Sequence, residues 1–169
     1  RKKSGELYWT EQTITPIKDS AGVISHFVSV LKDITAFRKQ QEQEFQLRLA
    51  REVQQRFYNG AAMSIDGFDI ASAAYPAEET GGDYLDLFSM PDGRTCIGIG
   101  DVSGHGVDSA LVMALTRAYV RAFAQVEADV SRILSNVNQM LLADLENNRF
   151  VTLLLVCLDG STGSLHYAS

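Results

Sequence analysis

Gly81-Gly82-Asp83-Tyr84-Leu85-Asp86-Leu87-Phe88-Ser89-Met90-Pro91-Asp92-Gly93-Arg94-Thr95-Cys96-Ile97-Gly98-Ile99-Gly100-Asp101 decides how the second part of this 169-residue chain folds. Asp83 to Met90 reads as a strand, Pro91 to Arg94 as a turn, and Thr95 to Gly100 as a second apolar strand running back. The start of the first strand then lies beside the end of the second, which makes Asp83 and Asp101 neighbours. Two carboxylates at such a sheet end, among glycines that let backbone carbonyls approach, suit Mg²⁺ or Mn²⁺, which prefer oxygen donors. Turn or cap roles at the strand ends are the alternative for both aspartates. Strand alternation puts Asp83, Leu85 and Leu87 on one face and Tyr84, Asp86 and Phe88 on the other, so Asp86 reaches the pair only through a bulge or twist. Cys96 and Cys157 stand in separate apolar strands and read as reduced and buried. The three histidines are scattered, which argues against zinc.

From about Ala50 to Ser169 the order of motifs is specific. Gly81–Asp86 is followed by Gly100-Asp101-Val102-Ser103-Gly104-His105-Gly106, a helix from Val107, and Asn138 on a second helix. Phe150-Val151-Thr152-Leu153 and then Leu158-Asp159 to Gly163-Ser164-Leu165 complete it. This stretch resembles the first part of a metal-dependent Ser/Thr protein phosphatase domain, of the SpoIIE/RsbU branch of the type-2C (PPM) superfamily. The resemblance implies an α-β-β-α sandwich with a metal centre at the edge between its sheets. It implies Asp101 as a ligand bridging two divalent cations, Mn²⁺ or Mg²⁺, Asp83 as a ligand of one, and the backbone carbonyl of Val102 as a further ligand. Asp86, Gly104 and His105 are candidates for a supporting layer, His105 also for proton donation. Asp108 suits the dipole of the helix it opens and needs no catalytic role. Two further metal-binding aspartates belong to the family pattern and are not found before Ser169. Asp159-Gly160 reads as a hairpin turn instead. The sequence therefore reads as a piece of a longer domain.

Ahead of this region, Glu6 to Thr15 and Val23 to Lys32 read as two strands joined at Asp19-Ser20-Ala21-Gly22. Gly5-Glu6-Leu7-Tyr8-Trp9, Thr15-Pro16-Ile17-Lys18-Asp19 and Asp33-Ile34-Thr35 resemble the C-terminal end of a PAS sensory domain. From Thr35 no Gly or Pro occurs until Gly60, and Gln, Glu, Arg and Leu favour a helix of about 24 residues. Phe45, Leu49, Val53 and Phe57 recur at i, i+4 as a narrow apolar stripe. It suits a two-helix seam, or, over Ala50 to Phe57, packing on the chain's own following domain. Similarity to sensor proteins implies a signalling helix that forms a homodimer.

The expected organisation is thus α+β: residues 1–34 the end of a PAS domain, 35–58 the linker helix, and 59–169 an incomplete phosphatase sandwich. Strands are also expected near Phe68–Tyr75, Phe150–Leu158 and Ser164–Ala168. Helix one would turn Ala110, Ala114, Ala118 and Ala122 to the sheet; helix two would bury Ile133, Val137, Met140 or Leu141, and Leu145.

Charge divides unevenly. Residues 1–58 carry ten Lys/Arg against seven Asp/Glu, and residues 59–169 five against fourteen, within a net charge of −6. An acidic surface argues against nucleic acid as a partner, and a phosphorylated substrate would need cations to offset repulsion. No apolar run approaches membrane-spanning length and no signal peptide opens the chain, so membrane contact is not expected and the cytoplasm is the default. The resemblance implies a phosphorylated protein as substrate, in this branch a STAS-domain anti-anti-sigma factor of bacterial stress signalling. A non-catalytic dimerising relay that binds a partner is the alternative. A histidine kinase is disfavoured because residues 27–104 hold no His, and a diguanylate cyclase because the chain reads GGDYL where GGDEF is needed.

Overall fold

The computed structural model describes residues 1–58, 65, 67–74, 80–145 and 149–169. It divides into two compact units, Arg1–Gln46 and Leu47–Ser169.

In the first unit, β1 (Thr10–Lys18) and β2 (Ile24–Asp33) form an antiparallel hairpin, both strands shifted toward the C-terminus from the expected spans. The turn forms because Asp19 Oδ1 accepts from the amides of Ala21 and Val23, with Gly22 at φ +82° supplying the left-handed residue. Trp9 is tied to the start of the following helix: its amide donates to Thr35 Oγ1, and its carbonyl accepts from Ile34. Every residue of both strands is exposed, as two strands without a covering layer must be.

Helix α1 (Thr35–Tyr58) starts in this unit, and its last turns belong to the second. There, β3 (Tyr84–Ser89), β4 (Thr95–Val102), β5 (Val151–Leu158) and β6 (Leu165–Ala168) form one antiparallel sheet in sequence order. Between β4 and β5 come α2 (Gly106–Ala124) and α3 (Val130–Asp144). Alternation along the strands sends Phe88, Cys96, Leu155 and Cys157 into a core shared with Val120, Ile133 and Val137 of the two helices, and Tyr84 into a smaller cluster with Val112 and Met113 of α2. Asp129 starts α3 by accepting from the amide of Ser131 at 2.8 Å. Leu85, Leu87, Ile97, Ile99 and Leu154 stand on the other face, half-buried or exposed. The described residues of this unit thus form one α-β half of the expected sandwich; a second sheet of the unit is not among them.

Three expectations change, and the alternative left open in α3 is decided. Residues 69–74 form no strand, since only an isolated bridge joins Ile65 to Phe68, and Tyr75 lies outside the described residues, as do Asn59 and Gly60. The alanine row of α2 does not face the sheet: Ser109, Val112, Met113, Thr116 and Val120 are buried, while Ala118 and Ala122 are exposed. Larger side chains one or two positions away fill the space better. In α3 it is Leu141 that is buried, beside Ile133 and Val137, and Met140 points outward. Finally, Cys96 and Cys157 are buried but not reduced. They face each other directly across β4 and β5 and are joined as a disulfide.

Candidate metal centre

The β3–β4 register pairs Tyr84 with Gly100 and Ser89 with Thr95. It continues one step beyond the strand, where the Val102 amide donates to the Gly82 carbonyl at 3.2 Å. Asp83 therefore stands directly opposite Asp101, between two rungs of the ladder. At such a position the Cβ atoms are about 4.5–5.5 Å apart. Both aspartates are exposed, on the sheet face turned away from α2 and α3.

Glycines set how tightly this end closes. A Cβ on Gly82 would lie 2.6 Å from the Val102 carbonyl oxygen, and one on Gly100 would lie 2.4 Å from the Thr152 carbonyl oxygen. The Val102 carbonyl thus sits beside Gly82, next to the carboxylate pair, while its side chain is buried in the core. Close approach falls on Gly82 and Gly100 rather than on Gly104 and Gly106, around which a Cβ would find open space. Those two are needed for conformation: at φ +96° and +78° they turn the chain from β4 into α2. His105, extended and exposed, caps α2 without a side-chain cap bond. Ser103 pins this loop to β5, its amide donating to the Phe150 carbonyl and its Oγ accepting from the Phe150 amide.

The end of α1 holds the other side. Gln54, buried, donates Nε2–H to the Gly81 carbonyl at 2.6 Å and accepts the Gly81 amide on Oε1 at 3.1 Å. The Tyr58 hydroxyl donates to the Asp83 carbonyl at 2.7 Å. Burial, with the Asp83 charge added, pushes the Tyr58 pKa up to about 12, so the hydroxyl remains a donor at neutral pH. Of the expected seam, Phe45, Leu49 and Val53 are exposed, whereas Phe57 packs beside Tyr84, Val102 and Met113.

Asp86 lies on the opposite face from Asp83, as alternation requires, and is buried. Arg121 grips it with two hydrogen bonds of 2.7 Å, Arg117 Nε approaches to 3.4 Å, and the Tyr84 hydroxyl stands 3.5 Å away. Asp86 in turn holds the Arg121 pKa above its usual value. Asp108, in the first turn of α2, pairs with Arg149 at 3.0 Å. Asp159 caps its own hairpin, accepting from Ser161 and Thr162, which holds its pKa down at about 2.

Sequence reasoning missed Gln54, Tyr58, Arg117 and Arg121. Their partners lie 25 to 35 residues away, and no local pattern marks them. As a donor set, two carboxylates and a carbonyl offer only hard oxygen, which suits Mg²⁺ or Mn²⁺. Among the described residues no group of three or more His, Cys, Asp or Glu side chains is arranged to hold a metal.

Residues 91–169 match the family described as Stage II sporulation protein E (SpoIIE). The chain is 25% identical over 130 residues to phosphoserine phosphatase RsbU of Bacillus subtilis, covering 77% of this chain and 38% of that protein. It is 28% identical over 112 residues to protein IcfG of Synechocystis sp., covering 63% of this chain and 18% of that one. The chain therefore spans well under half the length of these curated relatives. In fold it is similar to the SiaA-PP2C domain of Pseudomonas aeruginosa, with a TM-score of 0.59 and 22% identity over 77% of this chain and 54% of that one. Family match, RsbU relative and PP2C-like fold agree in supporting a phosphatase region of the SpoIIE/RsbU type in this chain.

Proposed function

We propose that this chain is part of a metal-dependent phosphoprotein phosphatase that hydrolyses phosphoserine or phosphothreonine, regulated from a PAS-like unit through α1. The observation that carries this reading is the cross-strand opposition of Asp83 and Asp101, exposed together at one sheet end. Asp101 and Asp83 would hold the cations, with the Val102 carbonyl beside them. Divalent ions there would supply a water of lowered pKa and offset charge on the phosphoryl oxygens. The protein's own part is to aim oxygen donors and keep them fixed. Gly82 and Gly100 allow the close strand contact, Tyr58 and Gln54 brace residues 81–83, and the Gly104 and Gly106 turns carry His105 past the site as a candidate proton donor.

A phosphorylated STAS-domain protein is the substrate class we favour, in the cytoplasm, on the similarity to RsbU. Phe45, Leu49 and Val53, exposed on α1, are the residues through which a homodimer would form. Mn²⁺-stimulated release of phosphate from a phosphoserine protein tests the reading. Asp101→Asn should lower turnover by on the order of 100-fold or more, and unchanged turnover would refute the assignment.

The second reading is a relay without catalysis. It is favoured by the lack of a third ligating side chain near the pair among the described residues. Sedimentation together with Mn²⁺ titration separates the two: a dimer that binds no Mn²⁺ favours the relay, and a chain that binds Mn²⁺ but stays monomeric at high concentration rules out a relay through dimerisation of α1.

A further inference from the structure

The buried ion cluster beneath β3 takes no part in the reading above. Asp86 is 1% exposed at its side chain and meets two guanidinium groups from α2, those of Arg121 and Arg117. Arg121 alone satisfies both carboxylate oxygens with a pair of hydrogen bonds, one to each. Arg117 is held differently. Its Nε is buried and makes no hydrogen bond, and its guanidinium lies over the Phe57 ring, 5.2 Å from the centroid. It therefore fills the space between a carboxylate of β3 and an aromatic ring of α1, by ion pairing on one side and cation–π contact on the other.

Phe57 lies between Gln54 and Tyr58 in the last turn of α1. That turn is joined to residues 81–86 at three points: Gln54 to Gly81, Tyr58 to Asp83, and Phe57 through Arg117 to Asp86. The first two are hydrogen bonds that depend on the helix end being docked. The third supplies the docking contact from beneath, on the sheet face opposite Asp83.

We propose that Arg117 is a positioning residue for the Asp83–Asp101 pair, linking the Phe57 ring of α1 to the Asp86 carboxylate of β3 so that the Asp83 segment stays fixed. Its significance for catalysis rests on the metal-centre reading; the mechanical link does not. A purely structural ion cluster would need only charge at position 117. Lysine would supply that charge to Asp86 but has no planar face to lay on Phe57.

The test is amide hydrogen exchange by NMR on the full chain and on Arg117→Lys, Phe57→Leu and Phe57→Trp. The reporters are the Gly81 amide, bonded to Gln54, and the Val102 amide, bonded to Gly82. Arg117→Lys and Phe57→Leu should speed exchange at both reporters roughly ten-fold or more and leave the β5 amides protected, while Phe57→Trp restores them. Unchanged protection at Gly81 and Val102 in Phe57→Leu would overturn the proposal. That variant keeps the ion cluster whole, so it also decides the matter if Arg117→Lys proves globally unstable. A parallel Mn²⁺ titration should show about ten-fold weaker binding in both variants. If the unaltered chain shows no Asp101-dependent Mn²⁺ binding, the metal-centre reading fails, and the exchange rates alone decide the link.

Discussion

The Tyr58 hydroxyl donates a 2.7 Å hydrogen bond to the backbone carbonyl of Asp83, so the last residue of α1 touches the residue that opens the candidate metal centre. One turn earlier, Gln54 closes a two-bond ring with the Gly81 backbone. Replacing Gln54 by Ala leaves a Gly81 donor and acceptor without partners in a partly buried setting. We expect a loss of about 1–3 kcal/mol in urea unfolding, with Tyr58→Phe costing less, about 1 kcal/mol. Equal stability of Gln54→Ala and the unaltered chain would show that α1 is not docked there.

Gly82, like Gly100, has no room for a side chain at the hairpin end. A methyl group there would meet the Val102 carbonyl oxygen at 2.6 Å, a contact with backbone that cannot swing aside. Gly82→Ala should therefore destabilise the second unit by more than about 2 kcal/mol and part the two strands where Asp83 faces Asp101. Chemical denaturation measures the first effect, and loss of the cross-strand NOE between residues 83 and 101 the second.

Much of this end was legible in the sequence. The turn residues Pro91 to Arg94 fix the hairpin, and the hairpin alone sets Asp83 against Asp101, because antiparallel register propagates from the turn. Residues whose partners are distant in sequence were not legible. Asp86 could be assigned a face but not its Arg117 and Arg121 partners, which come from a helix more than thirty residues on. In α2 the alanine row and the Val112–Thr116–Val120 row share one period, so periodicity could not choose between them; packing volume did. Residues 68–74 form no strand because a β-signal needs a partner, and among the described residues Ile65 alone pairs with Phe68.

The disulfide follows the same rule. Cys96 and Cys157 are 61 residues apart, and only the β4–β5 register brings them face to face. Alkylation under non-reducing conditions followed by peptide mass spectrometry should find the two linked. A loop of this length predicts that the bond stabilises the fold by about 4 kcal/mol in the chain-entropy account, so Cys157→Ser should unfold at markedly lower urea. Two free, alkylated thiols in the native protein would contradict the pairing.

Asp159 gives a pH test remote from the metal centre. Its folded pKa, about 2, lies below the usual 3.8 because the side chain and amide of Ser161 and the amide of Thr162 donate to the carboxylate. A depressed carboxylate stabilises the fold above its unfolded pKa and loses that contribution as pH falls through the folded value. The β5–β6 turn should accordingly loosen between about pH 4 and 2, seen as a shift of the Ser161 amide resonance. Asp159→Asn should remove that titration and leave Mn²⁺ binding unchanged. A change in Mn²⁺ affinity would mean that Asp159 is a ligand after all.

On the proposed function, Asp83 and Asp101 together hold a divalent cation. Mn²⁺ titration followed by electron paramagnetic resonance tests it most directly, in the unaltered chain and in Asp83→Asn and Asp101→Asn. Binding should be saturable and weakened by each substitution roughly ten-fold or more, with Asp101→Asn the more severe. Binding that survives both substitutions unchanged, or no binding by the unaltered chain, would contradict it.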